Sequence, residues 1–160
     1  MARRPVWPWN CKIRDPRGRS TGSTALVPFY LSHQARAHAV LGQLDDAERF
    51  INEALMAVET SGERWCEPES RRIAGEIELL SPERDATKAQ AHFKRALEIA
   101  RAQQARSWEL RAAARLARRW RDQGRRAEAR QVLAPVYGWF TEGFDTLDLK
   151  EAKALLEELV

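Results

Sequence analysis

A run of fourteen residues, Gly42 to Leu55, sets the terms for the whole chain. Gly42 stands at a turn, and Leu44, Ala47, Ile51, Ala54 and Leu55 follow it at helical spacing, small residues alternating with large ones. Glycine lets two helices fold back sharply on each other, and alanine lets their backbones approach where a larger side chain would hold them apart. The frame returns as Ala89, Phe93, Ala96 and Leu97, and again as Gly124, Ala129, Leu133 and Val136. Each copy follows a helical stretch with a small residue in mid-face: Ala35, then Gly75, then Ala117. Corresponding positions recur every 40 to 42 residues. A period of that length belongs to chains built from stacked helix pairs, none of which can bury its apolar face alone.

The order of small and large residues resembles the tetratricopeptide family over roughly Pro28 to Trp139, although the period exceeds the about 34 residues usual there. The resemblance implies an all-α, right-handed solenoid of three helical hairpins, at about 28–62, 66–104 and 107–138, closed by a capping helix at about 146–159. The repeat domain spans 25–160, after a basic arm at 1–24. The C-terminus, from Trp139-Phe140-Thr141-Glu142-Gly143-Phe144 through Asp148-Leu149-Lys150-Glu151-Ala152, is similar to the ending of bacterial multidomain proteins. In these an adenylate or guanylate cyclase domain and an AAA-type ATPase precede a tetratricopeptide array. The chain contains no Gly-x-x-x-x-Gly-Lys-Ser/Thr loop and no cyclase domain, so the resemblance extends to the array and not to the activity.

Within these hairpins the first helix runs from Pro28 to Leu41, the second from about Asp45 to Glu59 with Gly62 closing it, and the third begins at Pro68. Ser81 to Arg84 forms a long turn before the helix carrying Ala89 and Phe93. The fifth helix, Ser107 to Gln123, separates on a wheel: Leu110, Ala113, Ala114, Leu116, Ala117 and Trp120 against Arg111, Arg115, Arg118 and Arg119. The last helix presents Leu149, Ala152, Leu155, Leu156 and Leu159, while Lys150, Glu151, Lys153, Glu157 and Glu158 keep its other side wet. No polar helix precedes the first hairpin, whose Phe29, Tyr30, Leu31 and Val40 stand near an open edge. The arm folding back with Trp7 and Trp9, pairing of two chains, or a longer array would each cover it.

Charge is segregated. The net +4 resides in the arm, where six basic groups face one acid, and the remainder is nearly balanced. From Arg101 to Arg130, ten arginines face only Glu109, Asp122 and Glu128. The arm carries Pro5, Pro8, Pro16, Gly18 and Gly22 without helical or strand period, so a disordered or loosely docked segment is expected, and with Arg3, Arg4, Trp7 and Trp9 it reads either as a nucleic-acid or membrane-surface element or as an extension without a selected role. No stretch of about 18 apolar residues spans a membrane, and no apolar core follows Arg3-Arg4 as an export signal requires, so a cytoplasmic location is expected. Cys11 and Cys66 are isolated and are read as free thiols.

No enzyme is expected, and neither cofactor nor metal. His33, His38 and His92 lack metal-ligand spacing, since His33 and His38 sit about 140° apart on a helix. His38 reads as an inward polar ring in the first hairpin. Binding is the expected function. In the family, the first helices of successive hairpins line a concave groove, and the groove positions fall on Phe29, Ser32, Arg36 and Ala39, on Glu69, Arg72, Glu76 and Leu79, and on Arg111, Ala114, Arg118 and Arg121. With Arg115 one turn away, the candidate partner-binding set is Arg36, Arg72, Glu76, Arg111, Arg115, Arg118 and Arg121. Guanidinium groups pair bidentately with carboxylates, so an acidic peptide or chain terminus is the natural ligand of a signalling scaffold. The family's carboxylate clamp is matched at Arg111 and Arg115 only, because Arg36 and Ile73 replace its asparagines. Three alternatives stand beside this reading: a solvated arginine face, a nucleic-acid-binding repeat using the third hairpin and the arm, and a regulatory fragment of a cyclase. Against nucleic acid, no aromatic residue is interleaved with the groove arginines for base stacking.

Overall fold

The computed structural model describes residues 26–81 and 85–160. The basic arm, Cys11 and the Pro82–Arg84 part of the long turn lie outside them. The described residues are all-helical: α1 (Val27–Val40), α2 (Leu44–Ser61), α3 (Glu67–Leu80), α4 (Ala86–Ala102), α5 (Arg106–Asp122), α6 (Arg126–Tyr137) and α7 (Leu147–Glu158). Each boundary falls within about two residues of the expected one, the margin by which helix ends fray.

Three of the connections are built alike. After α1, Gly42 takes φ +73°, its N–H bonds to Ala39 O, and the N–H of Gln43 reaches back to His38 O at 2.9 Å. After α5, Gly124 takes φ +77°, with the same pair of bonds to Arg121 O and Trp120 O. These are Schellman caps, which satisfy the last carbonyls of a helix by putting one residue in the left-handed region. The third follows α4, where Gln104 occupies that region at φ +55° and Ala105 N–H reaches Ala100 O at 2.9 Å. Only the first two carry the residue that adopts this conformation freely. At the start of α4, Asp85 caps the helix by accepting from the N–H groups of Thr87 and Lys88.

Consecutive helices pack on each other, and the odd-numbered ones also adjoin in succession, α1 on α3, α3 on α5 and α5 on α7. The small residues lie where the helices meet: Ala35, Ala47, Ala54, Ala89, Ala96, Ala117 and Ala129 are fully buried. Gly75 is the tightest case, because a Cβ there would stand 2.6 Å from the Phe93 ring and 3.0 Å from Ala89 O. Two apolar clusters result. One gathers Ala35, Ala47, Ile51, Ala54, Ile73, Ala74 and Ile77 from α1 to α3; the other runs from Phe93 and Leu97 through Leu110, Leu116 and Leu133 to Leu149, Leu155 and Leu159. The apolar stripe of α7 thus joins the second cluster, as its spacing predicts. On the opposite end, Tyr30, Val40 and Leu41 of the first helix pair are exposed.

An aromatic column ties the N-terminal ends of the odd helices together. Phe29 of α1 stacks on Trp65, before α3, with ring centres 5.4 Å apart, and Trp65 meets Trp108 of α5 at 6.0 Å. His38 stacks on Phe50 at 5.0 Å, half-buried between α1 and α2, and its Nδ1 lies 2.6 Å from Gln43 Oε1. No helix among the described residues is long and apolar enough to cross a membrane.

Candidate functional site

The first turn of α3 is unusually dry: Glu67, Pro68, Glu69 and Ser70 are all buried. Ser70 and Ser32 of α1 bring their hydroxyls within 2.7 Å of each other, joining the two helices through a polar contact at groove position Ser32. One turn further, Glu69 and Arg72 are buried together. Arg72 donates through Nε and Nη2 to the two Glu69 oxygens at 2.9 and 2.8 Å, a fork-to-fork pair, and through Nη1 to Glu76 Oε1 at 2.5 Å. An isolated charge in such a place would be very costly, and the pairing is what makes the burial tolerable. Burial pushes the Glu69 carboxyl up, but the Arg72 hydrogen bonds and the charges of Arg72 and Arg111 outweigh it and hold the group below its ordinary range. Burial likewise pulls Arg72 down, and Glu69 and Glu76 more than compensate.

From this buried pair a ladder of ion pairs crosses the odd helices. Arg111 of α5 reaches Glu69 at 3.4 Å on one side and Asp148 of α7 at 2.7 Å on the other. Arg115 places Nε 2.5 Å from Glu76 Oε1, the same oxygen that Arg72 holds. Arg118 donates to Glu151 of α7 at 2.6 Å, and Arg121 pairs with both Asp122 and Glu158. Arg101 and Arg106 converge on the buried Glu109, at 3.0 and 2.7 Å, and the Arg106 guanidinium also covers Trp139. Four arginines of this segment, Arg111, Arg115, Arg118 and Arg121, are therefore matched by acids of α3 and α7 from outside it.

A cleft of about 440 Å³ opens above the ladder, between α1, α3, α5 and α7. Five of the seven expected partner-binding residues line it: Arg36, Arg72, Arg111, Arg115 and Arg118. Glu76 supports it from behind through Arg72 and Arg115, while Arg121 stands further along α5, paired to α7. Arg36 is exposed and has no ion-pair partner among the described residues. Arg115 is half-buried, and its guanidinium is pulled down by burial; Glu76 opposes this, while Arg118 and Arg72 reinforce it. Positive charge is thus least well compensated at this point of the cleft.

Two expectations need correction. Glu151 does not belong to a fully wet side of α7, since it is half-buried and paired with Arg118 of α5, whereas Glu158 is exposed as expected even though it pairs with Arg121. Arg119 is not freely solvated either: it is half-buried, and its Nε has no hydrogen-bond partner among the described residues. The acids Asp148, Glu151 and Glu158 are the ion-pair partners of the α5 arginines that sequence reasoning passed over. Their signal was the spacing of three and seven beside an apolar stripe, together with ten arginines lacking local counter-charges. Among the described residues no group of three His, Cys, Asp or Glu side chains is placed to hold a metal ion. Cys66 is buried with a free thiol, which burial pushes up from its ordinary pKa. No protein-family model matches the chain, and no curated protein matches it.

Proposed function

We propose that the chain is a tetratricopeptide-like right-handed solenoid, three helical hairpins closed by α7, that acts without catalysis as a cytoplasmic protein-interaction scaffold. The observation that carries this reading is the cleft itself. Residues assigned to a groove from their positions in three repeats, Arg36, Arg72, Arg111, Arg115 and Arg118, line one concave surface. Recurrence of the small-residue frame in register, and adjacency of the odd helices, support the solenoid. The resemblance of the C-terminus to bacterial cyclase and ATPase proteins supports a place in a larger signalling system, with the array recruiting a partner.

A nucleic-acid-binding role is disfavoured. Phosphate binding needs free cations along a surface, and here most of the α5 arginines are already held by carboxylates of α3, α5 and α7. The test is recovery of partners from a nuclease-treated lysate by the wild-type chain and by an Arg36→Gln/Arg115→Gln variant, after circular dichroism shows both helical. A protein recovered by the first and lost by the second supports the reading. Identical recovery by both sinks it.

A further inference from the structure

The acidic ligand class can be narrowed by counting what the cleft already holds. Its walls carry five arginines, Arg36, Arg72, Arg111, Arg115 and Arg118. Four carboxylates are bonded to them: Glu69, Glu76, Asp148 and Glu151. One positive charge is left over, and its position is defined. Arg111 and Arg118 are held by α7, and Arg72 is chelated by Glu69, whereas Arg36 has no counter-charge among the described residues and Arg115 has only a carboxylate oxygen that Arg72 shares. Apolar groups line the same cleft: Leu110, Ala114 and Leu147.

The cleft also continues. A second cavity of about 360 Å³ shares Leu110, Arg111, Thr146 and Asp148 with it and runs on to Phe140 and Gly143. A path that leaves the cleft past Arg111 and goes on between Leu110, Phe140 and Leu149 on the apolar side and Ser107 and Glu142 on the polar side suits a chain running through, rather than one that ends there.

Resting on the scaffold reading above, we infer that the cleft binds an extended internal segment of a partner protein through one Asp or Glu side chain seated between Arg36 and Arg115, with an apolar neighbour over Leu110 and Leu147. A single carboxylate neutralises the leftover charge, and planar guanidinium groups suit its two oxygens. A polyanion would overcompensate it and meet Asp148 and Glu151 in the same walls. Such like-charge juxtaposition selects against wrong partners.

The experiment is a synthetic decapeptide array of randomised composition, printed in two formats and probed with the folded chain. In one format peptides are anchored by their C-termini, so every carboxylate is a side chain; in the other the C-terminus is free. The expected result is binders in the anchored format that share one acidic position beside an apolar one. Re-measured in solution as amidated peptides, the binders should weaken at least about tenfold with Arg36→Gln or Arg115→Gln. They should keep their affinity with Arg126→Gln, which alters an exposed arginine at the start of α6. Binders confined to free C-termini, binders without a fixed acid, or equal affinity in Arg36→Gln would each overturn the carboxylate seat while leaving the scaffold reading standing. An array without binders to a chain that is helical and monodisperse overturns both.

Discussion

The Phe93 ring lies where a side chain on Gly75 would have to begin: a Cβ built there stands 2.6 Å from Cε1 and 2.9 Å from Cδ1. Gly75 is mid-helix in α3, where Ala would ordinarily be favoured by about 1 kcal/mol. The contact reverses that sign. Phe93 is fully buried, and the backbone Ala89 O of the same helix stands 3.0 Å away, so neither neighbour yields cheaply. Gly75→Ala is expected to lower the melting temperature, with a net cost of about 1–3 kcal/mol by overpacking. A melting temperature raised by the substitution would show that α3 and α4 are not this close.

At the other closely packed crossings the same logic applies to the alanines. Ala47→Leu and Ala96→Leu each insert a branched side chain at a fully buried position and should cost roughly 1–3 kcal/mol in urea unfolding. Ala154→Leu, on the exposed side of α7, serves as the control and should leave the midpoint nearly unchanged.

Gln104 points to a stabilising change. It is the non-glycine residue with positive φ among the described residues, and it holds the position that Gly42 and Gly124 hold in the equivalent caps. Gln104→Gly relieves a left-handed conformation that costs a side-chain-bearing residue about 1 kcal/mol. The expected outcome is a rise of a few tenths to about 1 kcal/mol in calorimetry or urea unfolding, with no change in helix content.

The buried pair of Glu69 and Arg72 makes a pH prediction whose sign is fixed. The folded-state pKa of Glu69 lies below its ordinary 4.5. A depressed carboxyl contributes stability that is fully present above the unfolded value and is lost as pH falls through the folded one. Melting temperature should therefore fall on acidification below the ordinary glutamate range, and Glu69→Gln should flatten that limb while lowering stability at neutral pH. Arg72→Leu at pH 7 should be the more damaging, by about 3–5 kcal/mol, since it strands a buried carboxylate. Equal acid sensitivity in wild type and Glu69→Gln would reject the assignment.

Much of the fold was legible because its signals are local. Ala35, Ala47, Ala89 and Ala117 announce close helix contacts through their size and spacing alone, and the glycine turns follow from backbone geometry. Leu149, Ala152 and Leu155 likewise declare a buried face of α7. The site was half legible. Repeat register placed five residues around one cleft, yet it could not tell which arginines were committed, because Arg111 and Asp148 lie 37 residues apart and meet only through tertiary packing. Wheel diagrams also treat every charge opposite an apolar stripe as wet. Glu151 borders the stripe of α7 and faces Arg118 of α5, and Arg119 is half-buried, which is why both were misplaced.

The division of the apolar interior at α3 has a consequence for how the molecule opens. Among the described helices α1 touches only α2 and α3, so the first two helices can detach while the cluster from α4 to α7 stays intact. Amide exchange should then report at least two cooperative units, the N-terminal one opening at lower free energy. Arg36 belongs to that weaker unit and Arg115 to the stronger. A molecule held at both would clamp the two units together, so occupancy of the cleft would be read out as slowed exchange in α1 and α2, far from most of the surface it covers.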